Sequence, residues 1–205
     1  MSLFSTDEEK RISTSITAAE KATSGEIVAV VARESDSYLY VPFLAASLVA
    51  LLVPWPLIYL TWHTVQWIYL IQLLVFAAIL ALLMDGQRRL WLVPTSVKRM
   101  HAHRRAVEQF VVQNLQTTEG RTGVLIFVSL AERYAEIVAE RGIHSKVPEG
   151  TWQTIVDKLT SDLADGKAAE GFVSAIEACG KLLAAHYPPG SADKNELPNH
   201  LIVLR

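Results

Sequence analysis

Carboxylates beside glycines are the residues of this 205-residue chain best suited to chemistry. Glu26 follows Ser24-Gly25, Glu140 precedes Arg141-Gly142, and Asp193 and Glu196 stand in a loop-like C-terminal tail. Hard cations such as Ca2+ or Mg2+ need several carboxylate or carbonyl oxygens converging on one point, so these four residues form the candidate metal set. Gly25, Arg121, Gly123, Arg141 and Gly142 would shape the turns or cleft around them. The competing reading is structural: Arg121 or Arg141 pairs with Glu140, and the glycines only let the chain turn. Phosphoryl transfer or hydrolysis would also need a nucleophile or an activated water. No P-loop, Cys-x5-Arg, Asp-x-Asp, His-Glu-x-x-His or Gly-x-Ser-x-Gly pattern occurs, so catalytic residues stay unassigned.

Other chemically capable residues read as structural. Cys179 is the single cysteine, which excludes an internal disulfide; it sits beside the apolar face of the last helix and reads as a small core residue. His101 and His103 are two apart, point to well separated sides of a helix and make a poor chelate, so they read as solvated. Arg88, Arg89, Lys98, Arg99, Arg104 and Arg105 form one local basic cluster. A net charge of −2 and a pI near 6.3 leave no surface for neutralising a nucleic-acid backbone. The cluster reads instead as juxtamembrane contact with anionic lipid, or as a marker of membrane orientation alone.

The elements that must position these groups follow from patterning. Between Asp36 and Asp85 about 48 residues carry no charge, enough for two membrane spans and a turn, near 40–60 and 65–84. Trp55, Tyr59, Trp62, Trp67 and Tyr69 gather near the turn as an interfacial belt would, and Pro54 and Pro56 predict a kink in the first span. Ser5 with Glu8 matches a capping box at the start of an amphipathic helix running to about Ala22. The runs at 26–33 and 124–128 are continuously apolar, as central strands covered on both faces are, and 134–140 reads as an edge strand. A helix over 96–116 shows Val107, Phe110, Val111 and Leu115 on one face. Two further helices follow from Trp152, Ile155, Val156, Leu159 and Leu163, and from Phe172, Val173, Ile176 and Leu183, with a short strand at 201–204.

The expected fold class is therefore α/β, a three-layer sandwich with a small mixed sheet, interrupted by a two-helix transmembrane hairpin. Its domains would be a discontinuous cytoplasmic unit, 1–36 plus 87–205, and the hairpin, 37–86. A strand–helix–strand crossover favours parallel pairing of the first two strands, and a short link to the third favours an antiparallel hairpin. Ser24-Gly25-Glu26, Arg121-Thr122-Gly123 and Glu140-Arg141-Gly142 would then share one sheet end, facing away from the bilayer. Lys and Arg flank the hairpin but are absent from its turn, which predicts both termini in the cytoplasm, and no signal peptide is expected before it.

Three stretches carry a family likeness: TSGEIVAVVARESDSY (23–38), GRTGVLIFVSLAERYAEIVAERGI (120–143) with Trp152 soon after, and NELPNHL (195–201). They resemble the TPM domain family, which includes thylakoid photosystem-repair proteins, a nematode acetylcholine-receptor accessory protein and many bacterial envelope proteins. The hairpin followed by RRLWLVP and VKRMHAHRRAVEQF is similar to the bacterial membrane subgroup. The resemblance implies an α/β sandwich, sometimes with a divalent cation, and a role in assembly or quality control of membrane complexes; acid phosphatase activity has been proposed for plant relatives. Where the family often has Asp-Arg-Gly, this chain has Glu140-Arg141-Gly142.

The expected function is a non-enzymatic, membrane-anchored interaction or assembly module acting on a membrane-protein complex from the cytoplasmic side of a bacterial inner membrane. The alternatives are a divalent-metal-dependent phosphatase or other hydrolase, with Ca2+ or Mg2+ as its cation, and a protein that binds anionic lipid surfaces. Expected partners are the bilayer and a membrane-protein complex, not nucleic acid. Ala45, Ala46, Ala77 and Ala78 are small enough for close helix approach within the hairpin or between copies of the chain.

Overall fold

The protein is described by a computed structural model over residues 4–62, 64–118, 120–144, 146–189 and 197–204. Two compact units emerge, Met1–Ser35 with Arg99–Arg205, and Asp36–Lys98.

In the first unit, helix α1 (Thr6–Glu20) starts at the expected capping box. The Ser5 hydroxyl accepts the Glu8 amide at 3.3 Å and the Glu8 carboxylate accepts the Ser5 amide at 2.7 Å, satisfying donors that helix geometry leaves orphaned. A mixed sheet follows: β1 (Glu26–Ala32), β2 (Gly123–Ser129), β3 (Tyr134–Ala139) and β4 (Ile202–Leu204), in the order β3-β2-β1-β4. β2 and β4 run parallel to β1, and β3 is antiparallel to β2. Every residue of β1 and β2 is buried, as their unbroken apolar runs require.

Strand alternation sorts those residues between two layers. Ile27, Ala29, Val31, Val124, Ile126 and Val128 face the core formed with α1, α8 (Thr151–Ala164) and α9 (Ala168–His186). Val28, Val30, Ala32, Leu125 and Phe127 meet Ala106 and Phe110 of helix α6 (Thr95–Val112), and Leu115, on the other. The expected three-layer α/β arrangement results. A short helix α7 (Arg141–His144) follows β3 and buries Ile143.

One expectation is corrected. The helix over 96–116 does not turn Val107 and Val111 into the core; α6 buries Ala102, Ala106 and Gln109 instead, and both valines are exposed. Two faces compete on this helix, and the inward one sets small Ala106 beside Phe110 against the sheet, so the helix can approach closely at the alanine while the ring fills the space next to it. The chain then leaves the helix at Asn114, which is left-handed (φ 57°), and a single 3-10 turn (Leu115–Thr117) carries Leu115 inward.

The second unit contains α2 (Tyr40–Leu52), α3 (Pro54–Leu60), α4 (Val65–Leu83) and α5 (Gly86–Leu92). Residues Tyr40–Leu60 and Val65–Leu83 are each long and apolar enough to cross a membrane. The first is interrupted at Val53, where Pro54 begins a new helical segment, as the proline placement predicted. α2 packs on α4, with Ala46, Ala50 and Ile68 buried, while Leu51, Leu52, Trp55, Leu73 and Leu74 point outward.

Candidate functional site

The strand directions bring Ser24-Gly25-Glu26, Arg121-Thr122-Gly123 and Glu140-Arg141-Gly142 to one end of the sheet, as the connection rules predicted. Main-chain bonds tie them: the Glu26 amide donates to the Thr122 carbonyl at 3.2 Å and the Glu140 amide to the Gly123 carbonyl at 3.1 Å. The Thr122 hydroxyl donates to the Ser24 carbonyl at 2.9 Å. Tyr187, just past α9, closes the ring: its hydroxyl donates to the Gly142 carbonyl at 2.9 Å, and its own carbonyl accepts the Ser24 amide and the Thr23 hydroxyl. Lys146 Nζ lies 4.3 Å from the centre of the Tyr187 ring.

Two glycines here sit in tight space, and at one of them the neighbour is backbone. A Cβ on Gly25 would come within 2.9 Å of Leu183 Cδ1, and one on Gly123 within 2.6 Å of the Leu115 carbonyl oxygen. Arg121 occupies a left-handed conformation (φ 50°) at the tight entry to β2.

Glu26 is 7% exposed. Its nearest acidic neighbour is a residue that sequence reasoning passed over, Glu20 at the last position of α1. Glu20 Oε1 accepts the Ile27 amide at 3.0 Å, capping a stretch of β1 that β4 does not reach, since β4 pairs only with Val30–Ala32. Burial pushes the Glu20 carboxyl up to about 8, and the adjacent Glu26 charge adds to the rise; the Ile27 amide and Asn199 work in the opposite direction. Asn199 belongs to the C-terminal stretch that carried the family likeness, and its side-chain amide donates to the Thr17 hydroxyl at 3.4 Å. The end of α1, the start of β1 and the segment before β4 therefore meet at one polar knot. The only local hint is the six-residue spacing of Glu20 and Glu26 across the Thr23-Ser24-Gly25 turn.

Glu140 is separated from this knot. In register it lies beyond Gly123 from Glu26, two strand spacings away, or ~10 Å between backbones. Its Oε2 is buried without a hydrogen bond, and neither Arg121 nor Arg141 forms an ion pair with it among the described residues. Asp193 and Glu196 lie outside the described residues. Among the described residues no group of three or more His, Cys, Asp or Glu side chains is gathered for a metal ion. The donor types at the knot still suit a hard cation: two carboxyls and an amide oxygen, with Glu20 Oε2 and Asn199 Oδ1 both buried and lacking a hydrogen bond. Such an ion would take the place of the proton that Glu20 retains. A groove of about 760 Å3 between α1 and α9 is lined by Ser15, Ala18, Ala22, Gly180 and Lys181 and includes neither Glu20 nor Glu26.

The remaining candidates fall as follows. His103 is not merely solvated: its Nδ1 lies 2.9 and 3.0 Å from the two Glu136 carboxylate oxygens, joining α6 to β3. Tyr134 donates to the same carboxylate at 2.9 Å, and burial, reinforced by the Glu136 charge, raises its phenol above the ordinary range. Arg104 and Arg105 both reach Glu108, at 3.0 and 3.4 Å. Cys179 is fully buried and its thiol is pushed up to about 12 by desolvation, which suits the core role expected of it. Trp152 packs against the main core.

Residues 85–182 match the family model described as TPM domain, a stretch that takes in α5, α6, β2, β3, α7, α8 and most of α9. The chain is also similar to the NMR structure of the BA42 protein from the psychrophilic bacterium Bizionia argentinensis. The identity is 21% and the TM-score 0.62, over 98% of this chain and 96% of that one, a likeness of fold. No curated protein matches the chain.

Proposed function

We propose that this chain, whose residues 85–182 match the TPM domain model, is a membrane-anchored interaction module that helps assemble a membrane-protein complex from the cytoplasmic side of a bacterial inner membrane. The observation that carries this reading is the uncharged pair of helices, Tyr40–Leu60 and Val65–Leu83, set within the chain between β1 and β2 of the α/β unit. Bulky apolar side chains along both helices face outward, where a hydrocarbon surrounding would spare them the cost of contact with water. The basic residues flanking the hairpin, with none at its turn, support cytoplasmic termini.

Two measurements test this. With Cys179 buried and unreactive, a cysteine at Thr64 is expected to react with an impermeant maleimide on intact cells, and one at Lys158 only after permeabilisation. The reverse pattern removes the orientation. Crosslinking of the full chain in membranes is expected to enrich the same few membrane proteins in each repeat, and enrichment no different from a hairpin-only control removes the assembly role.

A second reading, a divalent-metal-dependent hydrolase, is supported by the Glu20, Glu26 and Asn199 oxygens. Ca2+ or Mg2+ is then expected to raise the thermal midpoint saturably, by ~2.7 kcal/mol of stability at a hundredfold excess over the dissociation constant. The gain should grow with pH, as the competing proton is lost, and vanish in Glu20→Gln, Glu26→Gln. Superimposable melts with and without cation would end this reading.

A further inference from the structure

We infer that the outward ridge of α6 rests on an anionic bilayer surface. Met100, Arg104, Val107 and Val111 recur at spacings of four, three and four, so they form one line along the helix. That line lies opposite Ala102 and Ala106, which are both buried, Ala106 against the sheet. Met100 is 59% exposed, Val107 42%, Val111 53% and the adjacent Val112 63%. A soluble helix of this kind should present polar groups on that side; this one presents aliphatic side chains with an arginine among them.

The charge around the ridge selects the occupant. α6 carries Lys98, Arg99, Arg104 and Arg105 against one acid, Glu108. Arg104 and Arg105 share that single carboxylate and Arg104 remains largely exposed, so cationic charge is left over for an external anion. Apolar side chains flanked by arginines are the composition of a helix that lies in the headgroup region, with its aliphatic groups in the acyl boundary and its guanidinium groups on phosphates. His103, on the flank, is turned to Glu136 and fixes how the helix is rolled on the sheet. The chain that leads into α6 from the second candidate span is short and carries Arg88, Arg89 and an exposed Trp91, so the same interface chemistry continues from Leu83 into the helix.

The inference rests on the membrane reading of the hairpin, and the experiment separates the two. The full chain, carrying an environment-sensitive fluorophore on Val107→Cys or Val111→Cys, is reconstituted into vesicles of phosphatidylcholine, with or without phosphatidylglycerol. A third protein carries the label on Leu73→Cys in α4. In vesicles containing phosphatidylglycerol the α6 labels are expected to shift to the blue and to be quenched by headgroup-level spin-labelled lipid. High salt, or Arg104→Gln with Arg105→Gln, should reverse much of both effects. Water-like emission at both α6 sites while Leu73→Cys is quenched by acyl-chain spin labels overturns the inference alone. A blue shift without lipid quenching overturns it too, because a second copy or another protein then covers the ridge. An unquenched label at Leu73→Cys overturns the membrane reading and this inference with it.

Discussion

Raising the pH from about 4.5 to about 8 is expected to lower the thermal midpoint of the α/β unit, and Glu20→Gln is expected to remove most of that loss. The sign follows from linkage. The folded Glu20 carboxyl keeps its proton up to about 8, whereas in the unfolded chain it ionises near 4.5. Between those values the folded state binds the extra proton, so stability falls as pH rises; below 4.5 the effect is fully favourable, and above 8 the loss is complete. The limiting slope for one group is ~1.4 kcal/mol per pH unit. Glu20 is only partly removed from water, so screening reduces this, and a total of ~2 kcal/mol over the window, or roughly 5 °C, is the expected scale. Glutamine keeps an oxygen for the Ile27 amide while removing the charge, so the variant should match the native protein at low pH and exceed it at pH above 8. Glu20→Ala also removes the charge but leaves that amide without its acceptor, so it should be less stable than Glu20→Gln at every pH, by ~1–3 kcal/mol. Parallel pH profiles for the native protein and Glu20→Gln would show that Glu20 does not hold the proton.

Gly123→Ala is expected to cost more than any other single methyl group at this end of the sheet, ~2–3 kcal/mol. The added carbon would stand 2.6 Å from the Leu115 carbonyl oxygen, 3.0 Å from Leu115 Cδ2 and 3.1 Å from Leu115 Cβ. A flexible side-chain tip could move aside, but a backbone carbonyl in the Leu115–Thr117 turn cannot do so without pulling buried Leu115 from the core between the sheet and α6. Gly150→Ala is the control. It has open space around it but a φ of +81°, so its cost is conformational only, ~1 kcal/mol. Chemical denaturation of the two variants should rank them in that order; equal midpoints would mean that the Leu115 turn yields freely. Because Gly123 separates Glu26 from Glu140 in register, its substitution should also disturb the carboxylate end, visible as a changed pH profile.

Much of the architecture was legible because it depends on properties that neighbouring residues share. The charge-free run after Asp36 announced two apolar helices, and they appear at Tyr40–Leu60 and Val65–Leu83. Ser5 and Glu8 announced the start of α1, since a capping box closes within one turn. The Val-rich runs announced two central strands, and parallel pairing across the crossover with an antiparallel hairpin to the third then placed three turns at one end of the sheet. The candidate site was legible only in part. Glu26 was found by its setting beside Gly25, but the side chain that faces it, Glu20, looked like one more polar residue at a helix end. Whether it turns inward depends on where α1 docks.

The same division runs through the rest of the molecule. Composition and periodicity by themselves determined the element types, their order, the both-face burial of β1 and β2, and the uncharged hairpin, because each is a sum over local preferences and burial patterns. Tertiary structure decided what no local sum contains. It chose Ala102 and Ala106 over Val107 and Val111 as the inward side of α6, since the approach distance of helix and sheet is a joint property of both. It brought His103 to Glu136 across 33 residues of chain and Asn199 to Thr17 across 182, and it pressed Gly123 against a carbonyl that the sequence leaves unmarked. Such contacts carry no periodicity, because they arise where surfaces built for other reasons happen to close on one another.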